Sequence, residues 1–132
     1  MECLEFNTIT KANRKAIEEK GGSHRILSKE TIENIAGYVE NTGSMRQWDD
    51  IELICLAAYQ IIKGHPFLDG NKRTAYGIIL GCLKSINKRF TGRHRDLAYK
   101  IVEIAKSKSN EKDNMVSGLA YYLKAHLQER QT

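Results

Sequence analysis

Ten consecutive residues, His65-Pro66-Phe67-Leu68-Asp69-Gly70-Asn71-Lys72-Arg73-Thr74, bring together side chains that packing alone does not explain. Histidine exchanges protons near neutrality, so His65 suits a general base acting on a hydroxyl. Pro66 is the only proline in the chain. It disfavours helical geometry at His65, which predicts that a helix ends there and that the imidazole is carried on extended backbone. Gly70 can adopt positive φ or let a ligand approach the backbone, and Asn71 can cap or line a turn, so free N–H groups at a new helix start would form an anion site. Cations in a first helical turn oppose the helix dipole at a cost of ~0.3–1 kcal/mol each, unless an anion reverses the sign. Lys72 and Arg73 in succession therefore point to phosphate. Asp69 beside a phosphate suits a hard divalent cation such as Mg²⁺ lying between the two, and Phe67 suits an apolar anchor for the loop.

Each of these residues also has a plain structural role. Asp69 or Asn71 as an N-cap, Gly70 as a turn residue, Lys72 and Arg73 as a solvated face and His65 as a structural histidine would each be ordinary. It is their concentration in one window that favours chemistry.

Helices must hold this window. Ile32, Ile35, Ala36 and Val39 recur at helical spacing after Ser28, a good N-cap, and predict a helix over 29–39. Asp49 with Glu52 three residues later forms an Asp variant of the capping box. Ile51, Ile54, Cys55, Ala58, Ile61 and Ile62 form the stripe that follows, and Gly64 stops it. A third stripe runs through Ala75, Ile78, Ile79, Cys82, Leu83 and Ile86, starting near Asn71. Leu97, Ile101, Ile104 and Ala105 mark a further helix, Val116, Leu119, Leu123 and Leu127 the last, and 9–20 a weaker first one. With strand-like alternation almost absent, the expected fold is all-α: one compact bundle of about six helices, its core over about 9–127. The polar stretch 40–48 reads as a long functional loop between the second and third helices.

The composition is that of one ordinary domain: 132 residues, 41% hydrophobic and 28% charged. No apolar run approaches the ~18 residues of a membrane span, and the first residues lack the apolar core of a signal peptide, so the expected location is cytoplasmic, with no membrane partner. Cys3, Cys55 and Cys82 show no metal-ligand spacing and are expected to be small buried hydrophobes kept as thiols. The net charge of +5 points to anionic partners. It lies entirely in 84–95, where five basic residues face no acid; the remaining chain has sixteen of each sign.

The nine residues HPFLDGNKR resemble the signature of the Fic/Doc superfamily, H-x-F-x-[D/E]-G-N-[G/K]-R, a highly specific pattern. The short length, the Gly21-Gly22 pair and the run KGHPFLDGNKRTA are most similar to the Doc branch, the death-on-curing toxins of toxin–antitoxin pairs. The resemblance implies a small helical bundle with the signature between its two central helices. It implies His65 as catalytic base toward a hydroxyl of a target protein, Asp69 as Mg²⁺ ligand, Gly70 and Asn71 as anion nest, Lys72 and Arg73 as phosphate contacts and Phe67 as anchor. It places at 40–48 a flap on which the target's backbone docks as an added strand. ATP and Mg²⁺ are the implied co-substrate and metal.

Most Fic proteins transfer AMP and carry a second arginine three residues after the first; here that position is Tyr76. The Doc branch lacks this arginine, has lysine where Lys72 stands, and transfers the γ-phosphate of ATP to a threonine of elongation factor Tu. Phosphoryl transfer is thus the favoured expectation and AMP transfer the alternative, the latter supported by Gly70, where the Doc type member has alanine. No match to the inhibitory motif [S/T]-x-x-x-E-[G/N] is found, so restraint is expected from a separate antitoxin, for which 84–95 offers a basic surface. Two readings of other classes compete: a basic helical nucleic-acid-binding module, for which no helix-turn-helix is evident, and a catalytically silent binding protein, against which the full set His65, Asp69, Asn71 and Arg73 stands.

Overall fold

The computed structural model describes residues 1–130. Six helices dominate: α1 (Phe6–Lys20), α2 (Lys29–Arg46), α3 (Asp50–Gly64), α4 (Asn71–Ser85), α5 (His94–Lys106) and α6 (Lys112–Lys124). Helix α3 is the centre of the bundle. Residues 54–58 are fully buried on every side, since α2, α4, α5 and α6 all pack around it. Its start is fixed by a true capping box: the Asp49 carboxylate accepts the Glu52 N–H at 2.9 Å while the Glu52 carboxylate accepts the Asp49 N–H. The apolar stripes of α3 and α4 face each other, which places the intervening residues 65–70 at one end of the two best-packed helices.

Three expectations need correction. The stretch 40–48 is not a loop, because α2 continues to Arg46 and only Gln47, in a left-handed turn, and the two following residues link it to α3. Asn41, Thr42, Gly43 and Ser44 are weak helix formers, but Gly43 continues the buried row Ile32, Ile35, Val39, and tertiary packing overrides propensity. A side chain at Gly43 would meet Leu53 Cδ2 at 2.4 Å, so glycine is what lets α3 approach here.

Second, α6 ends at Lys124 and Leu127 belongs to a strand. Strands β1 (Lys88–Phe90) and β2 (Leu127–Glu129) pair antiparallel, Arg89 opposite Gln128. Three-residue strands are too short to show alternation, and their pairing joins segments that follow α4 and α6, far apart in sequence.

Third, Cys3 and Cys82 are joined by a disulfide, their Cα atoms 5.4 Å apart across 79 residues of sequence. A single helical turn over Glu2–Leu4 lies against α4, with Leu4 fully buried, and this docking brings the two sulfurs together. Cys55 alone fits the expectation of a buried thiol, and its burial raises its pKa far above the ordinary range.

No helix among the described residues is long and apolar enough to cross a membrane.

Candidate active site

The segment joining α3 to α4 is held from within and from two other elements. Phe67 is buried and its backbone is clasped by one side chain: Asn71 Oδ1 accepts the Phe67 N–H at 3.1 Å, and Asn71 Nδ2 donates to the Phe67 carbonyl at 2.8 Å. Asn71 therefore braces the loop with its side chain and offers a ligand only its backbone N–H.

On the opposite edge lies the extended chain between α1 and α2. Leu27 N–H and Ser28 N–H both donate to the Pro66 carbonyl, and Leu68 N–H donates to the Arg25 carbonyl, so Ile26 faces Phe67 as an isolated antiparallel bridge. By strand alternation the N–H and C=O of Ile26 then point to the outer edge. The extended chain beside the signature is thus 21–28, and not the 40–48 stretch.

Asp69 is reached from both sides of its backbone. Its Oδ2 accepts the Ser23 N–H at 2.8 Å. Gly22, at φ +104°, packs so closely that a Cβ there would lie 3.1 Å from that same oxygen. From α1, Asn13 Nδ2 donates to the Asp69 carbonyl at 2.9 Å and to Thr74 Oγ1 at 3.1 Å; Thr74 Oγ1 in turn donates to the Gly70 carbonyl at 2.8 Å. Asn13 and Thr74 are both fully buried. The sequence reading placed Thr74 in the window without a role and left Asn13 unnoticed, although a polar residue inside the stripe Ile9, Ala16, Ile17 of α1 was the available signal.

Gly70 is the N-cap of α4 in a left-handed conformation, φ +77°. No side chain among the described residues caps this helix and its first turn contains no acid, whereas the first turn of α3 holds Asp50 and Glu52. The first turn of α4 thus combines free N–H groups and the positive end of the helix dipole with the exposed side chains of Lys72 and Arg73, an electropositive helix start of the kind that suits an anion. Arg73 separates two depressions. One, about 130 Å³, is lined by Lys72, Arg73 and Tyr76 against Ala98, Ile101 and Val102 of α5; the other, about 450 Å³, runs between α4 and α1 past Tyr76 and Leu80.

His65 stands at the C-terminal end of α3, exposed. Its backbone is left-handed (φ 45°, ψ 54°) and not extended as anticipated. The following proline disfavours the right-handed region, and closing the helix end draws the residue into the left-handed one, a strained state for a non-glycine residue of the kind found at functional sites. One turn after Arg73, the Tyr76 hydroxyl contacts His94 Nδ1 at the start of α5.

The described residues contain no cluster of three or more His, Cys, Asp or Glu side chains that would form a protein-only metal cage. One carboxylate with a free oxygen fits Mg²⁺, which keeps most of its waters and takes its other ligands from phosphates. Asp69 is such a group, since Ser23 engages only its Oδ2.

The family model described as Fic/DOC family matches residues 3–83, from the first helical turn into the last turn of α4. A search of curated proteins finds no match.

Proposed function

Because the chain belongs to the Fic/Doc family, whose members are typically transferases that modify protein hydroxyls, we propose that it is a Doc-like kinase. It transfers the γ-phosphate of ATP to a serine or threonine of a target protein, acting as the toxin of a toxin–antitoxin pair in the cytoplasm. Elongation factor Tu is the first target to test.

The observation that carries the choice of phosphoryl transfer is Tyr76. One turn after Arg73, where an AMP-transferring site would have a second arginine, stands a neutral phenol whose hydroxyl is engaged by His94. That position supplies no cation for terminal phosphates. AMP transfer is the second reading, favoured by Gly70, whose left-handed conformation suits the family's glycine.

In the proposed reaction the target hydroxyl oxygen attacks the γ-phosphorus and the bond to the β–γ bridging oxygen breaks, so that ADP leaves. His65 takes the hydroxyl proton. The N–H groups of the first turn of α4, with Lys72 and Arg73, bind and orient the phosphates. Asp69, its Oδ2 fixed by Ser23, would hold Mg²⁺ through its other oxygen; when bound, that ion neutralises phosphate charge. The outer edge at Ile26, next to exposed Leu27 and Leu68, is where the target backbone would add as a strand. The antitoxin is proposed as an acidic partner for the basic stretch 84–95, which includes β1 and the start of α5.

The test is to incubate the protein with cell lysate, Mg²⁺ and ATP labelled on the α- or γ-phosphate, alongside His65→Ala. Label from γ alone is expected. Label from α would establish AMP transfer, and absence of His65-dependent label would end the enzyme reading.

A further inference from the structure

The Cys3–Cys82 disulfide lies in the wall of a cleft of about 260 Å³ between α1 and α4. Cys82 is completely buried, while Cys3 is partly exposed. Gly81 lines the same cleft, and nothing outside its chain neighbours lies within 4 Å of where its Cβ would be. Lys11 and Lys15 line the same cleft, and neither is paired with a carboxylate among the described residues.

We propose that this bond is a reversible thiol-exchange site that admits a low-molecular-weight anionic thiol. The thiolate enters past Lys11 and Lys15 and attacks Sγ of Cys3, the more accessible sulfur. The Cys3–Cys82 bond breaks, leaving a mixed disulfide on Cys3, and Cys82 departs as a thiolate that takes a proton from water in the cleft. A second thiolate attacks the sulfur of the bound small molecule, releasing a small-molecule disulfide and the Cys3 thiol. Two electrons have then passed from two thiols to the protein, and a small-molecule disulfide reverses both steps. The covalent link fastens the start of the chain to α4, the helix whose first residues are the signature, so exchange sets how firmly residues 1–5 are held without touching the groups that hold Asp69.

The probe is glutathione, applied to the full chain as reduced or oxidised buffer, followed by acid quench, denaturation, alkylation and mass spectrometry. In oxidised glutathione one cysteine, Cys55, should alkylate; in excess reduced glutathione all three should, with a Cys3 mixed disulfide as the intermediate. Three alkylated cysteines under every condition would overturn the proposal. Lys11→Gln and Lys15→Gln should each slow exchange with glutathione by about two- to threefold at low salt, with no slowing toward the cationic thiol cysteamine. Unchanged glutathione rates, or equal slowing with both thiols, would remove the cleft from the argument.

Discussion

Asn13 in the middle of α1 donates its side-chain amide to the main-chain carbonyl of Asp69, 2.9 Å away and 56 residues later in the chain. The signature loop is therefore held from beneath by a helix that contributes nothing to the signature itself. Replacing Asn13 by alanine leaves the Asp69 carbonyl and the buried Thr74 hydroxyl without this donor. A loss of about 1–3 kcal/mol is expected in chemical denaturation, with transfer activity falling under conditions where the fold remains intact. A variant as active and as stable as the parent would show that the bond does not position the loop.

Gly70 sits above the same amide. Alanine there must keep φ near +77°, and its Cβ would lie 3.1 Å from Ile17 Cδ1 and 3.3 Å from Asn13 Nδ2. The expected cost is about 1–2 kcal/mol. Because the methyl presses on Asn13, the double variant Gly70→Ala, Asn13→Ala should cost less than the two single changes together, which denaturation of all four proteins measures.

His65 is best tested by asparagine as well as alanine. Asparagine tolerates the left-handed backbone that His65 adopts, so the fold should be unchanged within about 0.5 kcal/mol. Transfer to the target should nevertheless drop by about 10²–10⁴-fold, the usual contribution of a general base. Retained transfer by this variant would mean that another group accepts the proton.

The acid dependence of stability should include a contribution from the start of α3. Burial works to raise the Asp49 pKa, but the hydrogen bonds from Lys124 and from the Glu52 N–H outweigh it, and the carboxyl is held below its usual value. The hydrogen bond that Lys124 donates to the Asp49 carboxylate in turn raises the Lys124 pKa. A depressed carboxylate pKa contributes stability above the ordinary carboxylate range that is lost on acidification. A raised lysine pKa contributes below the ordinary lysine range and is lost in strong base. Asparagine at 49 preserves an N-cap, so the difference between parent and Asp49→Asn should be at most about 1 kcal/mol at neutral pH, given the exposure of the pair, and should shrink toward both extremes. A difference that stays constant down to acid pH would rule out the charge as its source.

Periodicity and capping located α3 and α4, because a buried stripe at helical spacing and an Asp-x-x-Glu box are local facts that tertiary contacts reinforce. The layout of 65–73, a helix end, a short link and a cationic helix start, was legible for the same reason: it follows from residues close in sequence. What failed to show depended on distant chain. The continuation of α2 through Gly43 depends on Leu53; β1 depends on β2; and the Cys3–Cys82 bond depends on the N-terminal turn docking on α4. The contact of His94 with the Tyr76 hydroxyl gave no local sign at all.

By itself the sequence determined an all-helical bundle, the interruption at His65-Pro66, and a cationic helix start following Asp69, since these follow from residue type and spacing. Only the tertiary structure decided that Asn13 and Ser23 grip Asp69 from opposite sides, that the extended chain beside the signature is 21–28, and that two cysteines 79 residues apart are joined. The reason is physical: hydrogen bonds and a disulfide between remote residues form only after packing has brought their elements together, and no short-range pattern records which elements those will be.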